Sequence, residues 1–311
     1  MSNLVEIRGL TKSYPKQRTR LEVLKGIDLE IGQGEIVGLL GENGSGKTTL
    51  VKTAAGIVPR DAGRVSIDGL DPEARPREVA RRIGAVFPGG RNVYWRLSPR
   101  ENLHYFARLR GVSLDDAAIG RLLDSFDLGG VRDTELRKLS TGMKQRVAVA
   151  CGFVHRPRIL FLDEPTIGLD ATSTTTLTRR LEALARTDGV GILVTSHDSA
   201  FVERVCDRVL VLRNGVIQFQ GSVEALRHHL RDRRSYGLQI GEVNEALAAA
   251  LRERGALPPD AEAPDDFLFH RPDGSFLAEV IPVIERHGGS LRDVTMRQRP
   301  LGELMDDFRN A

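Results

Sequence analysis

The sequence has few cysteines, few aromatic residues and no long apolar run. Cys151 and Cys206 are the only cysteines among 311 residues and do not form a CxxC pair, so neither a disulfide framework nor a cysteine zinc site is expected. We predict two buried thiols in a reducing compartment. No stretch approaches the ~18–20 apolar residues that a membrane-spanning helix needs, and the first residues lack the apolar core of a signal peptide. We therefore expect neither an integral membrane protein nor a secreted one.

The chain also lacks a strong excess of charge of either sign. Its 45 basic and 42 acidic residues leave a formal net charge of +3, which is too small to indicate nucleic-acid binding by electrostatics alone. Hydrophobic residues make up 41% and charged residues 28%, an ordinary globular composition. At the usual ~100–200 residues per domain, the length predicts about two domains.

Short apolar runs alternate with helical patterns along most of the chain. Runs such as EIVGLL (35–40), RILFLD (158–163) and VGILVTS (190–196) predict buried strands, and their alternation with helices predicts an α/β fold with a largely parallel sheet. Residues 98–156 are predicted to form a helical insert, which opens with a capping box at Ser98. We place a domain boundary in the basic stretch 222–235, which gives a large domain over 1–228 and a small α+β domain over 229–311. That stretch is interpreted as a solvated helix face, with contact to lipid headgroups or nucleic acid as the alternative.

A phosphate-binding loop is the strongest local signal. Residues 41–48 read GENGSGKT and match GxxxxGK[ST] between a predicted strand and a predicted helix. Glycines let backbone N–H groups surround phosphate at the helix N-terminus, where the helix dipole favours negative charge. Lys47 is expected to reach the β- and γ-phosphates, and the Thr48 hydroxyl is expected to bind Mg²⁺. The candidate nucleotide-binding residues here are Gly41, Glu42, Asn43, Gly44, Ser45, Gly46, Lys47, Thr48 and Thr49.

Two carboxylates follow the buried run ILFL. Asp163 and Glu164 should emerge at the carboxyl edge of the sheet, the same edge as the phosphate loop. Asp163 can hold Mg²⁺, usually through water, and Glu164 can polarise an attacking water. An acidic pair after a strand is often an ordinary surface turn, and the upstream phosphate loop favours the catalytic interpretation.

Four motifs in order resemble one family. The phosphate loop, LSTGMKQR (139–146), LFLDEPTIGLD (160–170) and VTSHD (194–198) resemble the nucleotide-binding subunit of an ATP-binding cassette (ABC) transporter, over roughly residues 1–222. The resemblance implies a P-loop NTPase cassette with a helical subdomain, which hydrolyses ATP with Mg²⁺. It also implies an ATP-bound homodimer that sandwiches two nucleotides beneath a separate membrane permease.

The resemblance carries over to further positions one by one. Ser140 and Gly142 match the signature that contacts the nucleotide of the opposite subunit, although Met143 replaces the usual glutamine. Tyr14 matches the aromatic that stacks on adenine, where packing is the alternative. Asp170 matches the loop that couples the two sites, and His197 matches the histidine at the γ-phosphate.

A glutamine that most members of the family share has no counterpart in this sequence. Most cassettes have a glutamine after the strand that here reads RIGAVF, but residues 88–92 read PGGRN. We expect Arg91 or Asn92 to take over part of its polar role. Tyr94 and Trp95 are then predicted to form an aromatic anchor for the permease. The alternative is that both rings pack beneath the helix that begins near residue 98.

The resemblance favours a subunit of the drug- and antibiotic-efflux class, bound to the cytoplasmic face of the membrane. The features behind this are LSTGMKQR, the segment GGRNVYWRLSPRENL and the end GGSLRDVTMRQRPLGELMDDF. An importer ATPase is an alternative, and so is a soluble ABC ATPase acting on ribosomes or nucleic acid. Soluble relatives generally have tandem cassettes or a long insertion, whereas this chain has one phosphate loop and one signature. A transcriptional or polysaccharide-binding regulator has no positive signal, and no nucleic-acid partner is expected.

Overall fold

The computed structural model of the chain divides into two compact units, Met1–Val223 and Glu224–Ala311. It describes residues 3–16, 19–88, 93–230, 234–257, 265–271, 273–297, 301–302 and 305. Within these residues, no helix combines the length and the apolar character needed to cross a membrane.

The described residues of the first unit form nine strands in two sheets. A three-stranded antiparallel sheet has the order β2-β1-β4, and a six-stranded sheet has the order β5-β6-β7-β3-β8-β9. The second sheet is parallel except for β9, which pairs antiparallel with β8, so the predicted largely parallel α/β fold is confirmed. The strands are β1 (Asn3–Lys16), β2 (Thr19–Gly32), β3 (Ile36–Leu40), β4 (Ala62–Ile67), β5 (Ile83–Val86), β6 (Ile159–Asp163), β7 (Gly191–Thr195), β8 (Arg208–Arg213) and β9 (Val216–Gly221).

The centre of the parallel sheet is buried on both faces. Every residue of β3, β6 and β7 is buried, which explains why these strands read as continuous apolar runs instead of alternating ones. Because β3 and β6 flank β7, their carboxyl ends open at one edge, and the phosphate loop and the acidic pair follow there.

Five helices of the first unit begin at a residue whose side chain caps the helix, at least among the described residues. The Ser98 hydroxyl accepts the Glu101 N–H while the Glu101 carboxylate accepts the Ser98 N–H, which is the predicted capping box. Asp115 and Ser140 cap the next two helices of the insert. The helices are α1 (Lys47–Ala54), α2 (Pro76–Arg82), α3 (Pro99–Leu109), α4 (Asp116–Asp124), α5 (Thr141–Phe153), α6 (Ala171–Arg186) and α7 (Ser199–Val205), with 3₁₀ turns at Gly129–Val131 and Leu136–Lys138. A further helix, α8 (Val223–His229), begins at the last residue of this unit and continues into the second.

The second unit is a four-stranded antiparallel sheet with helices. Its order is β11-β12-β10-β13, and its core packs Tyr236, Leu238 and Ile240 of the central strand against residues of both helices. Its elements are β10 (Arg234–Gly241), α9 (Glu245–Glu253), β11 (Ala256–Leu257), β12 (Asp266–Arg271), a 3₁₀ turn (Gly274–Phe276), α10 (Leu277–Arg286) and β13 (Ser290–Arg297). The segment LGELMDDF (301–308) lies largely outside the described residues.

Candidate functional site

The phosphate loop lies between the central strand β3 and the start of α1. Gly41 cannot carry a side chain, because a Cβ there would stand 2.4 Å from the Leu212 carbonyl oxygen. Gly46 has φ +110°, a conformation that favours glycine, and no side chain caps the N-terminus of α1 behind it. Lys47 is buried, and its Nζ donates to the carbonyl oxygens of Gly41 at 2.7 Å and Glu42 at 3.0 Å. The loop therefore curves around its own lysine.

One cavity of about 370 Å³ joins several residues that the sequence analysis singled out. Besides Val23, the residues that line it were all predicted to bind or hydrolyse nucleotide: Tyr14, Glu42, Asn43, Gly44, Gly46, Lys47, Thr48, Thr49 and Glu164. Tyr14 is half-buried on β1, and Lys12 Nζ lies 5.5 Å from its ring centre. Gly41 and Ser45 are buried within the loop.

Asp163 is the hub of the hydrogen bonds beneath this cavity. Its carboxylate is 1% exposed and accepts from two hydroxyls, Thr48 Oγ1 at 2.7 Å and Thr195 Oγ1 at 2.6 Å. The two threonines come from α1 and from the end of β7, so the carboxylate joins three neighbouring elements. A carboxylate beside a hydroxyl offers the hard oxygen atoms that Mg²⁺ prefers.

Glu164 and His197 form a pair at the same edge. Glu164 has φ +52°, and its N–H donates to Thr195 Oγ1 at 3.0 Å and to the Thr195 carbonyl at 3.1 Å. His197 Nδ1 lies 2.8 Å from Glu164 Oε2, and the His197 N–H donates to the same oxygen at 3.3 Å. The Glu164 side chain is 11% exposed and that of His197 is 60% exposed, so the histidine covers the carboxylate from the solvent side.

The signature residues lie at the start of α5. The Ser140 hydroxyl accepts the Met143 N–H at 3.2 Å, and Ser140 is exposed. Gly142 is buried, and a Cβ there would stand 2.2 Å from Ser173 Oγ on α6. Neither Ser140 nor Gly142 is among the residues that line the phosphate-loop cavity of the described chain.

Asp170 caps α6 and is exposed. Its carboxylate accepts the Ser173 N–H at 2.7 Å, and hydrogen bonding to Ser173 lowers the pKa of Asp170 below its usual value. A negative charge at a helix N-terminus is stabilising, so Asp170 has a structural role besides any function between subunits.

The residues of the loop fit a bound nucleotide with Mg²⁺. Ser45 Oγ is buried and has no hydrogen-bond partner within the part of the chain that the structure describes, so a polar atom is left for an acceptor. The uncapped start of α1 supplies further donors, and Lys47 supplies positive charge next to them. Thr48 and Asp163 offer oxygen ligands 2.7 Å apart. This donor set suits a polyphosphate with its metal ion.

Comparison with known proteins decides the family. Residues 24–167 match the ABC transporter family. The chain is 34% identical over 226 residues to the ABC transporter ATP-binding protein NatA of Bacillus subtilis, covering 72% of this chain and 91% of that protein. The chain belongs to the ABC transporter ATP-binding proteins.

Other similar proteins are named for export and for import. The chain is 34% identical to the Nod factor export ATP-binding protein I of Burkholderia orbicola (85% of this chain, 84% of that protein). The chain is 31% identical to the bacitracin transport ATP-binding protein BcrA of Bacillus licheniformis (79% of this chain, 78% of that protein). It is 33% identical to the methionine import ATP-binding protein MetN of Bordetella pertussis (81% and 72%). A solved dimeric cassette in a post-hydrolysis state, bound to ADP and phosphate, matches with a TM-score of 0.64 and 25% identity (70% of this chain, 98% of that chain). The chain is therefore the ATP-binding subunit of an ABC transporter, an ATPase that uses ATP and Mg²⁺.

In this ABC ATPase, the segment without the family glutamine is only partly described. Pro88 is exposed, and Arg91 and Asn92 lie outside the described residues, so their expected polar role stays a prediction. Tyr94 and Trp95 are 49% and 51% exposed, but the Tyr94 ring also packs on α3, with its centre 4.7 Å from that of Tyr105 and its hydroxyl 3.0 Å from the Tyr105 hydroxyl. The aromatic anchor therefore stays a prediction. Lys144 Nζ lies 5.3 Å from the Trp95 ring centre.

Two buried side chains of this ABC ATPase position other residues but were not predicted from the sequence. Thr195 is fully buried and positions both Asp163 and Glu164; its place at the end of an apolar strand, two residues before His197, was the available signal. Asn102 is also fully buried and accepts the Tyr94 N–H at 2.7 Å while its Nδ2 donates to the Tyr94 carbonyl at 3.0 Å. No local pattern marks an asparagine inside a helix as such a clamp.

Proposed function

We propose that this chain powers the export of a drug, an antibiotic or another amphipathic compound through a separate membrane permease. Two chains would close on ATP as a homodimer at the cytoplasmic face of the membrane. The similarity to the Nod factor export ATP-binding protein supports export, and the similarity to BcrA supports an antibiotic as substrate. The similarity to MetN keeps import as the second candidate. The main structural support for ATP hydrolysis by this chain is the Glu164–His197 pair beside the phosphate-loop cavity.

Different residues of this chain bind the phosphates, the adenine and the metal ion. Lys47 and the N–H groups at the start of α1 bind the phosphates, and Tyr14 stacks on the adenine from the same cavity. Thr48 and Asp163 hold Mg²⁺, Asp163 through water. The ion supplies positive charge against the phosphate oxygens when it is bound.

Glu164 orients the water that attacks the γ-phosphate. Its carboxylate is held by His197, and its backbone is held by Thr195, so its position does not depend on the nucleotide. A base that is already positioned costs little reorganisation when the reaction begins. His197, being exposed, is free to turn its other ring nitrogen towards the γ-phosphate.

Ser140 and Gly142 complete the site of the partner subunit. In its own chain Ser140 is exposed and is not part of the phosphate-loop cavity, which supports a role in trans. Asp170, exposed at the start of the next helix, would couple the two sites across the dimer.

The permease would dock on the aromatic surface formed by Tyr94 and Trp95. Asn102 clamps the backbone of Tyr94, and the Arg137 N–H donates to the Trp95 carbonyl at 3.0 Å. The two half-exposed rings are thus presented on a fixed backbone, which favours an anchor that loses little entropy on binding.

Transport assays in inside-out membrane vesicles separate the two directions. With the chain and its permease in such vesicles, export predicts uptake of an amphipathic dye that depends on external ATP. Vesicles with the Glu164→Gln chain serve as the control, because they bind ATP without turnover. Substrate leaving preloaded vesicles, together with a requirement for a separate substrate-binding protein, would contradict export and support the importer.

A further inference from the structure

A second cleft lies in the ATP-binding unit between α4, the end of α5 and α6. Its volume is about 480 Å³, within the ~300–1,000 Å³ range of small-molecule sites. Arg156 and Pro157 precede β6, and Asp188 and Val190 precede β7, so the cleft lies at the amino edge of the parallel sheet. The phosphate loop follows the opposite, carboxyl edge. The two sites are therefore separate.

Three arginines line this cleft against one acidic residue. Arg121 comes from α4, Arg156 from the turn after α5 and Arg180 from α6, and Asp188 is the only carboxylate among the lining residues. Within the described ranges, neither Arg121 nor Arg156 has a side-chain hydrogen bond or an ion pair. Arg121 and Arg156 therefore line the cleft without an ion-pair partner among the described residues.

Arg180 is held in a fixed position at the wall. Its guanidinium lies 4.8 Å from the ring centre of Phe126 and 5.8 Å from that of Phe153. Its Nε is buried and has no hydrogen-bond partner among the residues that the structure describes. Burial, opposed by Asp188, lowers the pKa of Arg180, as expected for a cation that is incompletely compensated. Contacts with two aromatic rings hold the guanidinium at this wall, and a planar fork suits a carboxylate or phosphate.

Apart from the three arginines and Asp188, the described lining residues are apolar except for Ser125. The apolar lining residues are Leu114, Ala118, Leu122, Phe153, Val154, Pro157 and Val190. We propose that this cleft binds a small amphipathic anion, whose carboxylate or phosphate group contacts Arg121, Arg156 and Arg180 and whose apolar body lies on this wall. Because α4 and α5 belong to the helical insert and α6 follows β6, the ligand would join the insert to the core of the unit.

Calorimetric titration of the full chain tests the proposal. The chain is first saturated with ADP and Mg²⁺ so that added anions do not enter the phosphate loop. The probes are octanoate, octyl phosphate, octan-1-ol, which has the same chain without charge, and acetate, which has the head group alone. We expect saturable binding of octanoate and octyl phosphate, and much weaker binding of octan-1-ol and acetate.

Single substitutions then locate the site. Arg121→Gln and Arg156→Gln should each weaken octanoate binding on the order of ten-fold, the scale for one charge-assisted contact. Arg179→Gln is the matched control, because Arg179 is an exposed arginine of the same helix as Arg180 and does not line the cleft. Arg121 and Arg156 are exposed, so these variants are expected to fold.

Three results would overturn the proposal. If octanoate binds Arg121→Gln and Arg156→Gln as tightly as it binds the unchanged chain, its binding site lies elsewhere. An equal loss in Arg179→Gln means that general positive charge, and not this cleft, attracts the anion. The absence of saturable binding by either amphipathic anion removes the site.

Discussion

The sharpest prediction concerns Thr195, whose buried hydroxyl holds both acidic residues of the site. Thr195→Val keeps the shape of the side chain but removes the donor to Asp163 Oδ1 at 2.6 Å and the acceptor for the Glu164 N–H at 3.0 Å. The Glu164 N–H keeps the Thr195 carbonyl at 3.1 Å, and Asp163 keeps Thr48 at 2.7 Å, so the main loss is one hydrogen bond to a charged group. Such a bond contributes about 1.5–3 kcal/mol, and the additional buried methyl returns roughly 0.8 kcal/mol.

We therefore expect Thr195→Val to lower the free energy of unfolding by about 1–2 kcal/mol. Thr178→Val is the matched control: Thr178 is 2% exposed, but its hydroxyl has no hydrogen-bond partner within the described chain. The same substitution there loses no bond and should be neutral or stabilising by up to about 1 kcal/mol. Urea unfolding of both variants, monitored by circular dichroism, measures the difference.

The same variant should also slow hydrolysis. Thr195 acts through Asp163 and Glu164, so it is a positioning residue, and removal of such a partner of a metal ligand costs ~10–100-fold in activity or metal affinity. The Mg²⁺ dependence of ATPase activity should shift in Thr195→Val and not in Thr178→Val. If the two variants unfold at the same urea concentration and hydrolyse ATP equally fast, the hydrogen bonds of Thr195 do not position Asp163 and Glu164.

Three further predictions address the nucleotide, the dimer and the permease. Glu164→Gln should lower ATP hydrolysis by ~10²–10⁴-fold, the range for loss of a general base, while an ATP-bound dimer accumulates in gel filtration; unchanged turnover would exclude Glu164 from this role. Lys47→Ala should lose a charge-assisted phosphate contact and therefore bind ATP more weakly. A mixture of Lys47→Ala and Ser140→Arg chains should regain part of the ATPase activity, because one composite site per mixed dimer stays intact. No recovery at any mixing ratio would contradict independent sites completed in trans. Trp95→Ala should lower the stability of the isolated chain by only about half of the ~3–5 kcal/mol that a fully buried tryptophan costs, because the ring is 51% exposed, yet weaken permease binding. A larger fall in stability with normal permease-stimulated ATPase would mean that the ring stabilises the fold instead.

Much of the site was accessible from sequence because its chemistry is carried by short segments next to buried strands. The glycines, Lys47 and Thr48 occur within eight residues, and Asp163 and Glu164 directly follow an apolar run. Element ends were less well predicted: the helical insert was expected to end at residue 156, whereas its last helix, α5, ends at Phe153. Helix ends fray, and local sequence specifies them only to within about two to four residues.

The sequence by itself determined the fold class and the identity of the reacting groups. Apolar runs that are continuous instead of alternating specify a parallel sheet with both faces covered, and this places every following loop at one edge. Tertiary structure alone decided which groups meet. Thr195 becomes a partner of Asp163 because β6 and β7 are neighbours in the sheet, although 31 residues separate them along the chain. The three arginines of the second cleft come from α4, the turn after α5 and α6, and only packing leaves their charges facing one space. Sequence patterns report periodicity within one element, whereas contacts between elements depend on how the whole chain packs.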